Sequence, residues 1–95
     1  LLGQVRELSF DQAERRIART LLNLAAQYGR PCPEGVRISI RFTHQDVAGI
    51  INTSRITTNK VMKRMEEEGI LLKREGRYIL RALPALERLA RGEGQ

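Results

Sequence analysis

The chain has 95 residues, 41% of them hydrophobic but only 4% aromatic, enough for one domain with an aliphatic core and too few for two. Its net charge of +6 points either to a polyanionic partner or to no more than solubility. The single cysteine, Cys32, and the single histidine, His44, exclude an internal disulfide and a cysteine–histidine zinc site. No apolar run approaches a membrane span and no signal peptide is visible, so a reducing cytoplasm is expected.

The chain begins with Leu rather than Met, which reads as a fragment or processed piece of something longer. Residues 1–8 have near-helical apolar spacing and are expected to be the end of an incoming helix or a linker. Ser9 is a candidate N-cap for a helix to about Tyr28, with Ala13, Ile17, Ala18, Leu21, Leu22, Leu24 and Ala25 on one face and Gly29 closing it in a left-handed conformation. Arg30 to Gly35, with two prolines, reads as a loop. Val36 to Phe42 alternates apolar and basic residues, the pattern of a half-buried strand. Thr43 caps a short helix to Ile51, Asn52 and Thr53 break it, and Ser54 caps a second helix ending at Gly69. Ile70 to Lys73 and Arg77 to Leu80 are short strands joined by a turn at Gly76. Pro84 starts a last helix with Leu83, Leu86 and Leu89 facing inward, and residues 92–95 are expected to be a frayed tail.

Helix, tight turn, helix and hairpin, in that order, predict an α+β, mainly helical fold: a winged helix-turn-helix over residues 9–91, a helical bundle with a small antiparallel wing. Ala48 is small where the two helices must cross, Asn52 tolerates the left-handed turn, and Val47, Ile51 and Val61 are placed to hold the pair together. At about 100° per residue, Arg55, Asn59, Lys63, Ile56 and Lys60 fall within one arc of about 140°, while Val61, Met65, Thr58 and Met62 fall opposite. The stretch from residue 41 to residue 81 also carries net +4 of the charge.

A polar, basic helix face suits the major groove: Arg and Lys donate to guanine O6 and N7, and Asn pairs with adenine. Arg55, Ile56, Asn59 and Lys60 are therefore the candidate base contacts. Ile56 reads either as a contact to a thymine methyl group or as a singly exposed aliphatic. Thr43, His44, Ser54, Thr57 and Lys63, with Lys73, Arg74 and Arg77 of the wing, are the candidate backbone contacts. Thr43 and Ser54 also read as helix caps, His44 as an ordinary surface residue, and the wing as a hairpin kept soluble by charge. Glu66, Glu67 and Glu68 close the helix at the end its dipole disfavours and are expected to face solvent or to repel DNA.

The stretch FTHQDVAGIINTSRITTNKVMKRMEEEGILLKREGRYIL resembles the cyclic-AMP receptor protein/fumarate-nitrate regulator family of bacterial transcription factors, and RRIARTLLNLA is similar to the first helix of its DNA domain. The likeness implies that Arg55 and Lys60 take the two basic reading positions. It implies that Thr43, His44, Ser54 and Thr57 take backbone positions. Ile56 stands where the family commonly has Glu, Asn59 where Gly or Ser is frequent, Lys60 where Arg is usual, Asn52 where Gly is frequent and Thr58 where Val or Ile is frequent. A half-site different from the family's common one follows. The resemblance further implies a homodimeric full-length protein on near-palindromic double-stranded DNA, with RNA polymerase open as a partner. It implies a bacterial cytoplasmic location, no membrane association, and no cofactor in this domain, since any effector such as a cyclic nucleotide would bind an N-terminal sensor domain. The fragment alone is expected to associate weakly.

Two other readings compete. A winged helix can be a protein-interaction module, which predicts an apolar patch where this helix is basic. An enzyme needs a nucleophile motif or phosphate loop, and neither is present.

Overall fold

A computed structural model describes residues 7–92; the expected helix end over residues 1–8 lies, apart from Glu7 and Leu8, outside them, as does the expected tail beyond Gly92. The elements in chain order are α1 (Phe10–Tyr28), β1 (Gly29–Cys32), β2 (Gly35–Ile38), α2 (His44–Ile51), α3 (Arg55–Glu67), β3 (Leu71–Arg74), β4 (Arg77–Leu80) and α4 (Leu83–Ala90). Among the described residues, no helix is long and apolar enough to cross a membrane.

α1 starts where Ser9 and Gln12 cap each other: Gln12 N–H donates to Ser9 Oγ at 3.2 Å and Ser9 N–H to Gln12 Oε1 at 3.0 Å, satisfying two amides that the helix leaves free. Its stripe of Ala13, Ile17, Ala18 and Leu21 is fully buried. α2 and α3 pack on α1 and on each other, and α4 lies along α1. Arg19 fastens that last contact, its Nε donating to Ala90 O at 3.0 Å. Leu86 and Leu89 face the core as their spacing predicts, with Leu83 half-buried. Gly92, the first residue of that tail, turns back at φ +80°, its N–H donating to Leu89 O.

The strands form one antiparallel sheet in the order β1-β2-β4-β3, so the wing is the continuation of a second hairpin rather than a free ribbon. Residues read as a loop, Arg30 to Cys32, lie in β1, paired with β2 through Arg30↔Arg37 and Pro31↔Val36. Proline signals a loop because it lacks an N–H, but an edge strand can turn that missing donor outward. The strand expected from Val36 to Phe42 stops at Ile38. β2 meets β4 only through Val36↔Leu80 and Arg37↔Ile79. Ser39 then leaves the ladder, its N–H donating to Tyr28 O and its carbonyl accepting from Arg77 Nε at 2.8 Å. Phe42 re-enters the core outside any strand, its ring 5.0 Å from that of Tyr78. β3 begins at Leu71, one residue later than expected.

Gly29 is the other correction. Its backbone is extended, at φ −76° and ψ 144°, rather than left-handed. What it supplies is space: a Cβ there would stand 2.2 Å from Ala25 O and 2.8 Å from Val36 Cγ1. Gly29→Ala should therefore destabilise the fold by about 3 kcal/mol, as overpacking does, seen as a lower urea midpoint by circular dichroism. An unchanged midpoint contradicts the close approach.

Candidate nucleic-acid interface

The α2–turn–α3 unit is built by three local devices. Thr43 and Asp46 form a capping box at the start of α2, with Asp46 N–H on Thr43 Oγ1 at 3.1 Å and Thr43 N–H on Asp46 Oδ2 at 2.8 Å. Asn52 ends α2 in the left-handed region, φ 60° and ψ 52°, its N–H donating to Ala48 O. A non-glycine residue there costs about 1–2 kcal/mol, least for Asn. Ser54 then caps α3, accepting from Thr57 N–H at 3.2 Å. The caps and the turn stand where the sequence places them.

α3 has two opposed faces. Thr58, Val61, Met62 and Met65 are wholly buried, and the Thr58 hydroxyl is satisfied by donating to Ser54 O at 3.0 Å. Arg55, Asn59, Lys60 and Lys63 are exposed, and Ile56 stands 68% exposed among them. Glu66, Glu67 and Glu68 face solvent as expected, Glu68 paired with Arg64 at 3.1 Å.

Side chains around this face form contacts that no helical periodicity could supply. His44 Nδ1 lies 2.8 Å from Asn59 Oδ1, so the first turn of α2 reaches the second turn of α3. Arg55 Nη1 lies 3.5 Å from Gln45 Oε1. Glu7 accepts from Thr57 Oγ1 at 2.7 Å, and Ser54 Oγ lies 3.4 Å from the same oxygen. A carboxylate thus rests at the N-terminus of α3, beside the two hydroxyls that sequence reasoning assigns to phosphate. Leu8 holds it there: its side chain is buried and its N–H donates to Thr53 Oγ1 at 3.3 Å.

The wing cations are also placed by contacts across the fold. Lys73 Nζ sits 5.3 Å from the Tyr78 ring centre, within reach of its π face. Arg74 and Arg77 are direct cross-strand partners, a like-charge pair that would weaken the hairpin. The structure separates them, Arg74 hydrogen-bonding Glu34 and half-buried Arg77 turning to Ser39 O. The Arg74 hydrogen bond holds the Glu34 carboxyl below the ordinary carboxylate range. Tyr78, which carries no signal in the sequence, joins the wing to α2: its buried ring meets Phe42 and lies 6.4 Å from the His44 ring. Burial pushes its phenol above the ordinary value.

Known proteins share this fold. The family described as the Crp-like helix-turn-helix domain matches residues 15–89. The cAMP-activated global transcriptional regulator CRP of Salmonella typhimurium is 36% identical over 69 residues, 72% of this chain and 32% of that protein. The chain thus spans about a third of the length of such relatives. The catabolite activator protein of Thermus thermophilus superposes with a TM-score of 0.71 at 30% identity, over 88% of this chain and 36% of that one. CooA, a CO-dependent transcription factor of Carboxydothermus hydrogenoformans, shares the fold with a TM-score of 0.78 at 23% identity, over 85% of this chain and 38% of that one.

The left-handed turn at Asn52 can be tested by itself. Asn52→Gly should leave stability nearly unchanged, whereas Asn52→Val should cost about 1–2 kcal/mol or more, measured by chemical denaturation. Equal effects of the two would mean that backbone conformation is not what Asn52 supplies.

Proposed function

The chain belongs to the family of Crp-like helix-turn-helix domains, and on that footing we propose that it is the C-terminal DNA-binding domain of a bacterial transcription regulator, docking α3 in the major groove. The observation that carries this reading is the opposition on α3, one face buried to nothing and the other a free basic surface with a single apolar side chain. A protein-docking helix would expose an apolar stripe instead.

Arg55 and Lys60 donate to guanine edges, Asn59 adds a third polar contact, and Ile56 meets a thymine methyl group. Thr43, Ser54 and Thr57 carry hydroxyls to the phosphates beside the helix starts, where N-terminal amides also attract anions. His44 and Lys63 flank them. Lys73, Arg74 and Arg77 of the wing approach the adjoining backbone, each guanidinium keeping donors beyond the one already used. Two copies in a full-length dimer would set their α3 helices about 34 Å apart on a near-palindromic site. RNA polymerase is a further candidate partner. An effector would bind a separate N-terminal domain, and the cytoplasm is the place where all of these meet.

Binding by fluorescence anisotropy tests the assignment. Lys60→Ala should weaken binding to a selected half-site by about tenfold or more while changing random-duplex binding only through the salt slope. Equal losses on both duplexes would make Lys60 a phosphate contact and remove it from readout. Glu7→Gln should tighten binding to either duplex several-fold at low salt, because it removes a negative charge from the place a phosphate approaches while keeping the acceptor oxygen. Unaltered affinity would show that Glu7 does not compete with the backbone.

A further inference from the structure

The first turn of α3 takes its negative charge from outside its own helix. α1 carries Asp11 in its first turn and α2 carries Asp46, so each sets a carboxylate at its own positive end. α3 has no acidic residue in its first turn, and Thr57 stands where a capping box would have Glu or Gln. Its anionic partner is Glu7, 50 residues earlier, which accepts from Thr57 Oγ1 at 2.7 Å. Ser54 Oγ lies 3.4 Å from the same carboxylate oxygen and 3.2 Å from Thr57 Oγ1. A carboxylate within the helix would be a permanent part of it. One supplied by another segment can be withdrawn.

The residue after Glu7 holds it in place. The Leu8 side chain is buried in the core, and its N–H donates to the hydroxyl of buried Thr53, next to the cap Ser54, at 3.3 Å. The Ser9–Gln12 capping box then fixes the start of α1. Half-buried Phe10 ties that start to α3, with Arg64 Cζ 5.4 Å from its ring centre. Glu7 itself is exposed, so water is its alternative partner once Leu8 no longer places it. On the proposed docking, the hydroxyls of Ser54 and Thr57 meet a DNA phosphate. A carboxylate and a phosphate cannot share that seat, because Thr57 has one hydroxyl proton to give and two anions so close repel.

We infer that residues 7–9 form an autoinhibitory strap: Leu8, seated in the core, holds the Glu7 carboxylate where a phosphate would sit, and DNA affinity rises when Leu8 is unseated. The inference rests on the proposed docking of α3 in the major groove and adds a control on the same contacts. Because one anion at a time can take the seat, the coupling is reciprocal. A shift of the segment before α1 that unseats Leu8 favours DNA, and bound DNA favours the unseated segment.

A double-mutant cycle tests this, using the 95-residue chain with Leu8→Ala or Thr53→Val, each alone and combined with Glu7→Gln. Binding is read by fluorescence anisotropy at low salt, on a half-site duplex selected from a random library and on a random duplex. Neither Leu8 nor Thr53 is placed at a DNA contact. Each single variant loses a contact of the strap, so each should lower the urea midpoint and yet tighten binding several-fold on both duplexes, since a phosphate contact carries no sequence preference. With Glu7→Gln already present, neither should tighten binding further, the non-additivity expected of residues that act through one group. A purely structural strap would give lower stability with equal or weaker binding. Leu8→Ala decides where circular dichroism shows it folded; otherwise Thr53→Val, which keeps the side-chain shape, decides. Binding that is unchanged or weakened by the deciding variant, a gain as large with Glu7→Gln as without it, or no gain from Glu7→Gln itself each overturns the inference while leaving the docking reading intact. No preference of the unmodified chain for the selected duplex overturns the docking reading, and the inference with it.

Discussion

Thr58, Val61, Met62 and Met65 leave no solvent-accessible surface on one side of α3, and that burial sets the rotation of the helix about its own axis. Each buried aliphatic side chain contributes about 1.5–3 kcal/mol. A turn of one residue, about 100°, would expose methionines and push charged side chains toward the core, where an unpaired charge is far more costly. The helix therefore has one stable orientation. Its basic face is free because the opposite face cannot be, and the wing and the first turn of α2 are placed relative to that fixed face.

The surface built on this rotation is already partly occupied by the chain's own charges. Glu7 rests on the hydroxyls at the start of α3, and Glu34 holds Arg74 at the edge of the wing. Donors gathered for an anion carry a cost when left unmet, and local carboxylates reduce it in the free protein. On the proposed docking, an incoming phosphate would exchange partners with these groups rather than fill an empty seat. The same economy applies inside the wing, where Arg74 and Arg77 would repel each other across the hairpin but each takes a separate acceptor, the Glu34 carboxylate and the Ser39 carbonyl.

Tyr78 ties these parts together. From β4 it packs on Phe42, lies beside His44 and carries Lys73 over its ring. Because β4 is hydrogen-bonded to β2 as well as to β3, the wing is braced by the β1–β2 hairpin and by the core. On the proposed docking, a wing braced in this way and a helix fixed by burial would leave little to order on binding, which is how a small surface gains specificity.

The sequence alone settled much of what is local or periodic. The caps at Ser9, Thr43 and Ser54, the left-handed Asn52, the turn at Gly76 and the two faces of α3 depend on a few adjacent residues or on a 3.6-residue repeat, and all stand as read. The tertiary structure decided what depends on distant partners. Pro31 lies in a strand because β2 offers it an edge, the strand after Val36 ends at Ile38 where the Ser39 carbonyl accepts from Arg77 of β4, and Gly29 is a close approach rather than a cap because Val36 packs against it. The pairings Glu7–Thr57, Gln45–Arg55 and His44–Asn59 span 50, 10 and 15 residues. No pattern along the chain encodes such contacts, because they arise only when packing brings two unrelated surfaces to hydrogen-bond distance.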